Sequence, residues 1–91
     1  MTPSDPSARF EFELRNVPLD RLQEYFEQAG GTLTGERSAR GDGWSLRLEP
    51  LEDVRLFTMV IPRDLLVIEG EPEAAQRVAD FMRRKTMRGG G

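Results

Sequence analysis

Hydrophobic and polar residues alternate along the chain from Arg9 to Arg15. The apolar side chains at positions 10, 12 and 14 share one face, and charged side chains occupy the positions between them. This period of two is typical of a strand that buries one face and exposes the other. The sequence therefore predicts a half-buried first strand.

Two later segments repeat their apolar residues with helical spacing. After the turn at Asn16-Val17-Pro18, the first helix presents Leu19, Leu22, Tyr25, Phe26 and Ala29, and it stops at Gly30-Gly31. The second helix begins near Pro72, with acidic residues at its start and basic residues at its end, as the helix dipole favours. Its predicted buried stripe comprises Ala74, Ala75, Val78, Phe81 and Met82.

Between the helices, the pattern predicts four strands: a weak one through Leu33, then 44–49, 54–61 and 65–68, with turns at 38–43, 50–53 and 62–64. The order β-α-β-β-β-β-α predicts a two-layer α+β sandwich, an antiparallel twisted sheet with two helices on one face. A ferredoxin-like arrangement is the alternative. The single domain is expected at 9–85, after a mobile lead-in at 1–8 and before a flexible glycine-rich tail at 86–91.

The tripeptide Arg40-Gly41-Asp42 resembles a cell-adhesion signal. It lies in a segment rich in turn-forming residues, between Ser38 and Gly43, immediately before an alternating strand. A hairpin connection that requires positive φ angles accounts for the glycines. We therefore interpret the tripeptide as part of a turn.

The segment 54–61 is apolar on both faces, which is unusual in so small a chain. Phe57, Met59 and Ile61 are predicted on the face that the helices leave uncovered. The sequence thus predicts a non-catalytic interaction module that self-associates as a homodimer, or binds another protein, through this sheet face. Alternatively, the chain itself covers the face with residues 50–53 or the N-terminal lead-in.

Composition narrows the possible chemistry. The 91 residues include no histidine and no cysteine, so the commonest general base and the commonest metal ligands are missing. Glu11 and Glu13 share a polar strand face, where carboxylates are ordinarily solvated and ionised. We expect no catalysis, no cofactor, no metal and no membrane association, and a cytoplasmic location. The predominance of arginine over lysine and the scarcity of thermolabile residues are also typical of heat-tolerant proteins.

The second functional alternative is binding of nucleic acid or another anion. Four cations, Arg83, Arg84, Lys85 and Arg88, occur within six residues at the end of the second helix. Arg40 and Arg47 lie near Trp44, although the alternation predicts that this tryptophan is buried. The net charge of −3 argues against a general nucleic-acid binder.

The element order and one segment of the chain each resemble part of a known fold. The element order is similar to one repeat of the TATA-box-binding-protein fold. The segment LLVIEGEPEAAQRVADFM resembles the closing strand and helix of KH-type RNA-binding domains. KH domains clamp nucleic acid with a G-x-x-G loop between two helices. Here Gly30-Gly31 leads into a strand instead, so the resemblance implies no binding residue.

Overall fold

The computed structural model describes residues 7–87. It is a two-layer α+β sandwich with a five-stranded sheet and two helices, as the sequence predicts. The elements are β1 (Ala8–Arg15), α1 (Leu19–Gln28), β2 (Thr32–Gly35), β3 (Ser38–Gly41), β4 (Trp44–Leu56), β5 (Met59–Gly70) and α2 (Pro72–Met87).

All neighbouring strands in the sheet are antiparallel, and their spatial order is β1-β5-β4-β3-β2. The long strands β4 and β5 form the centre, and α1 and α2 pack on one face. Alternate side chains of the sheet meet the helices there, and excluding their apolar surface from water stabilises the fold. The buried cluster comprises Leu14, Leu22, Phe26, Ala39, Trp44, Leu46, Leu48, Leu66, Ile68, Ala75, Val78, Ala79 and Met82.

Helix α1 begins and ends where local sequence signals place it. Pro18 is the residue before α1 and has an extended backbone, and α1 finishes in a Schellman motif. In that motif the N–H groups of Gly30 and Gly31 donate to the carbonyls of Glu27 and Phe26. Helix α2 continues to Met87, two residues past the predicted end of the domain. The expected lead-in and tail lie mainly outside the described residues.

The strand boundaries between the helices differ from those predicted. Strand β3 lies within the predicted turn at 38–43, and β4 continues through the predicted turn at 50–53. Strand β5 likewise runs through the predicted turn at 62–64. The predicted strand at 54–61 is wrong, because the chain reverses inside it at Phe57-Thr58, between Leu56 and its partner Met59.

The Arg40-Gly41-Asp42 segment forms the end of β3 and the start of a tight turn. Gly41 pairs with Trp44, and Asp42-Gly43 connects the two strands. Gly43 adopts a φ of 84°, which side chains resist. Gly41 is required for a different reason from the predicted positive φ, since a Cβ there would lie 2.5 Å from the Trp44 indole ring. Trp44 itself is buried, as predicted.

Where the helices back the sheet, its other face is covered by charged side chains of the chain itself. Arg9 bonds to Glu11 and Glu69, and Arg47 bonds to Glu69 and Glu49, so ion pairs cross β1, β5 and β4. Val67 lies beneath them and is only 1% exposed. The aliphatic stems of long charged residues can shield apolar surface in this way. Residues 65–68 are apolar on both faces, like 54–61, and this pattern predicts that they too require an external cover. That prediction is wrong, because the chain's own side chains cover Val67.

Candidate functional site: the apolar end of the central hairpin

Strands β4 and β5 extend beyond the rest of the sheet. Strand β1 pairs with β5 as far as Arg63, and β3 pairs with β4 at residues 44–47. Past Leu51 and Arg63, the ladder that the structure describes joins β4 and β5 only to each other. A 13-residue strand spans about 43 Å, which exceeds both shorter dimensions of the 53 × 26 × 26 Å molecule. The hairpin therefore projects along the long axis.

A β-bulge sets which side chains of this projection share a face. Leu51 pairs with Arg63 and Val54 pairs with Ile61, so two residues of β4, Glu52 and Asp53, oppose the single residue Pro62. Proline lacks the N–H that a regular ladder requires, which makes it compatible with a bulge. The Arg63 Nε donates to the Glu52 carbonyl at 2.7 Å and so satisfies the distorted backbone.

The bulge changes which residues of β4 lie opposite the residues of β5 beyond it. If the same sequence continued in a regular ladder from the pair Leu51 and Arg63, Asp53 and Arg55 would oppose Ile61 and Met59. With the bulge, Val54 and Leu56 take those positions instead. Cross-strand partners lie on the same face of a hairpin. The bulge therefore gathers four apolar side chains on one face.

We define the hairpin tip as Val54, Leu56, Phe57, Met59 and Ile61. Leu56 is 49% exposed, Met59 is 60% exposed, and Phe57 is as exposed as it would be in an extended peptide. Val60 is also exposed, but it alternates to the opposite face, where it pairs with Arg55. Within residues 7–87, the large hydrophobic side chains that are exposed all belong to this hairpin. An apolar patch of this kind on a small protein commonly marks an interaction site.

Phe57 occupies a backbone conformation that disfavours side chains. Its φ is 58°, in the left-handed region, at the first position of the two-residue turn. Glycine dominates such positions, and other residues are strained there by about 1–2 kcal/mol. The exposed ring of Phe57 does not recover this energy by packing within the described part of the chain. Strain combined with full exposure favours a functional role for the ring.

The structure changes the grouping of the predicted interface residues. Met59 and Ile61 share a face, as predicted, while Phe57 is in the turn rather than on a strand. Val54 and Leu56 join Met59 and Ile61, although a continuous strand would have placed them on the opposite side. The turn at Phe57-Thr58 lacks glycine, proline and asparagine, so the sequence carried no signal for it.

The predicted anion-binding cluster at the end of α2 does not form one surface. Arg83 lies over the Phe12 ring at 5.1 Å and contacts Asp80, whereas the Lys85 Nζ lies over Tyr25 and Phe81. Arg84 lines a shallow groove on another part of the helix. Successive helical residues are separated by about 100°, so their side chains diverge. Arg88 lies outside the described residues.

The two carboxylates considered for catalysis are held by arginines. Glu11 accepts a hydrogen bond from Arg9, and Glu13 accepts bonds from Arg15 and Arg63. The hydrogen bond from Arg15 lowers the pKa of Glu13, which is the opposite of what a general acid near neutral pH requires. The described residues contain no group of three or more His, Cys, Asp or Glu side chains placed to hold a metal ion.

The family model of the archaeal MoaD-like proteins matches residues 10–91, nearly the whole chain. The chain belongs to this family. MoaD-like proteins are small modules that typically interact with other proteins. No curated protein matches the sequence. Between residues 7 and 87, neither helix is long and apolar enough to cross a membrane.

Proposed function

We propose that the protein is a non-catalytic interaction module that self-associates through the hairpin tip. The observation that carries this proposal is the cluster of exposed apolar side chains at the end of a projecting hairpin, with Leu56 and Met59 on one face and Phe57 in the turn. The same sheet face further along the strands supports it by contrast, since ion pairs cover that face across β1, β5 and β4. Membership of the MoaD-like family is consistent with an interaction role.

A second copy of the chain is the partner that fits this surface best. The side chains of the hairpin tip are uncharged, so two copies meeting there would not bring like charges together despite their net charge of −3. In a two-fold arrangement, the same patch on each copy covers the other. Both edges of the hairpin beyond Leu51 and Arg63 are also unpaired in the described ladder and can accept another strand.

The small size of the surface argues for a weak association. The hairpin tip is small, and an aromatic side chain such as Phe57 buries at most about 250 Å². The interface should therefore lie near the lower limit of specific complexes, about 1,200 Å² in total. We expect a dissociation constant on the order of 1 μM, which makes the mass of the particle dependent on concentration.

Two substitutions at adjacent positions test the proposal. Met59→Glu introduces a charge on the proposed interface and should give a monomer at all concentrations in sedimentation equilibrium. Val60→Glu makes a similar change on the opposite face of the same strand and should still dimerise. The proposal fails if the wild-type protein remains monomeric at about 1 mM, or if both variants associate like the wild type.

Other predictions from the sequence remain proposals. Binding of nucleic acid through the end of α2 is not favoured, because Arg83 and Lys85 lie over different rings and face different directions, so they do not form one surface. Binding that weakens steeply with added salt would support it. The cytoplasmic location and the heat tolerance are likewise predictions from composition.

A further inference from the structure

A second candidate site lies where the end of β1, the first turns of α1 and the end of α2 meet. It is a cleft of 370 Å³ at the surface. Each of the three elements contributes a cation and a second polar residue. These residues are Arg15 and Asn16, Arg21 and Tyr25, and Lys85 and Thr86.

The turn after β1 brings these groups together. Asn16 has a φ of 57°, and asparagine tolerates this left-handed conformation better than most residues. The Asn16 N–H donates to the Pro62 carbonyl at 2.9 Å, which fixes the turn against β5. The chain then enters α1, so that Arg15 and Arg21 line the same cleft.

The cleft is positively charged, and no carboxylate lines it. Arg15 donates through Nε to Glu13, which lies outside the lining, and its terminal nitrogens make no hydrogen bond with the described residues. Arg21 forms no ion pair within residues 7–87. The Lys85 Nζ lies 5.9 Å and 5.6 Å from the ring centroids of Tyr25 and Phe81. These rings orient the ammonium group but do not neutralise it.

We propose that this cleft binds a small molecule through a phosphate group. Guanidinium groups grip phosphate oxygens in two-point fashion, and the ammonium of Lys85 adds a point charge. A phosphate monoester carries a charge of about −1.5 to −2 at neutral pH, so it balances Arg21, Lys85 and the Arg15 already paired with Glu13 better than a single carboxylate does. The Asn16 amide can donate to the same anion. Thr86 lines the cleft without donating to the anion, because its hydroxyl donates to the Met82 carbonyl.

The phosphate could be free or part of a larger molecule, and two ligands distinguish these sources. Inorganic phosphate and a nucleoside monophosphate are titrated separately into isotopically labelled protein, with sodium chloride at matched ionic strength as the blank. Both should shift the amide resonances of Arg15 to Tyr25 and of Lys85. Tighter binding of the monophosphate would identify an ester as the natural ligand, and equal binding would identify free phosphate.

Variants assign the binding to the cleft. Arg21→Gln and Lys85→Met should each weaken phosphate binding by about tenfold, as expected when one charge-assisted contact is lost. Arg77→Gln is the control, because Arg77 is an exposed cation of α2 that lines a different groove. Thermal melting of each variant checks that it is folded.

Three results would overturn the proposal. The first is the absence of resonance shifts with either ligand at about 10 mM. The second is wild-type affinity in Arg21→Gln. The third is binding of a single-stranded oligonucleotide without binding of either small ligand. Because the cleft and the hairpin tip share no residue, Met59→Glu should leave phosphate binding unchanged.

Discussion

Gly41 lies against the indole ring of Trp44 with no room for a side chain between them. A Cβ on Gly41 would lie 2.5 Å from the Cε2 and Cζ2 atoms of the ring. Trp44 is buried between the sheet and the helices and cannot easily move away. The close approach joins β3 to β4 at the same point where the chain reverses.

Gly41→Ala should therefore destabilise the protein by about 1–3 kcal/mol, the usual cost of overpacking a core. Urea denaturation followed by Trp44 fluorescence measures the change. Gly35→Ala is the control, because its Cβ would meet only the Ser38 hydroxyl, at 3.0 Å, and the effect should be smaller. Equal stability of Gly41→Ala and wild type would show that the sheet relaxes around the added methyl group.

Phe57→Gly should change stability and association in opposite directions. Glycine accepts a φ of 58° without strain, so the free energy of unfolding of the monomer should rise by about 1 kcal/mol. Loss of the ring should weaken self-association. Chemical denaturation at low protein concentration measures the first effect, and sedimentation equilibrium measures the second.

Phe57→Ala separates the two contributions, because it removes the ring but keeps the strained backbone. It should weaken association as much as Phe57→Gly without the gain in stability. If Phe57→Gly associates as tightly as the wild type, the ring does not belong to the interface.

Arg15→Gln should raise the pKa of Glu13 towards its ordinary value of 4.5. The hydrogen bond from Arg15 is the largest cause of the lowered pKa, and Arg63 makes a smaller contribution. Carbon-detected NMR of the Glu13 carboxyl group, in phosphate-free buffer, follows the titration. Arg63→Gln should produce a smaller rise, and an unchanged pKa in Arg15→Gln would contradict this assignment.

The lowered pKa of Glu13 also predicts how the stability of the protein depends on pH. A carboxyl group with a lowered pKa in the folded protein contributes stability above its ordinary value of 4.5. This contribution is lost as the pH falls through the folded-state pKa. Arg15→Gln should therefore lose less stability than the wild type on acidification. The difference should be small, because exposed ion pairs contribute little.

The parts of the fold that the sequence predicted correctly carry strong local signals. Alternation defines β1, and the spacing of Leu22 and Phe26 on α1 identifies its buried face. The spacing of three residues likewise identifies the buried face of α2: Ala75, Val78 and Met82. Each of these patterns arises within a single element that buries one face. Residues close together in the sequence are therefore sufficient to predict that element.

The hairpin could not be predicted in the same way. Its turn at Phe57-Thr58 lies within a continuous apolar run, and Pro62, which looked like a turn residue, is opposite a bulge instead. Only the pairing register shows that Val54 and Leu56 share a face with Met59 and Ile61.

The sequence also did not predict the cleft proposed to bind phosphate. Its cations come from three elements, and 64 positions separate Arg21 from Lys85 along the chain. The sequence instead predicted an anion site at arginines that are adjacent in the chain, such as Arg83 and Arg84.

The bulge opposite Pro62 lets β4 hold one residue more than its partner strand needs. Removing one codon between Leu51 and Val54 would leave a single residue opposite Pro62, and Val54 and Leu56 would still lie opposite Ile61 and Met59. A chain that is one amino acid shorter at this point should therefore keep its capacity to pair, because the same side chains remain at the contact.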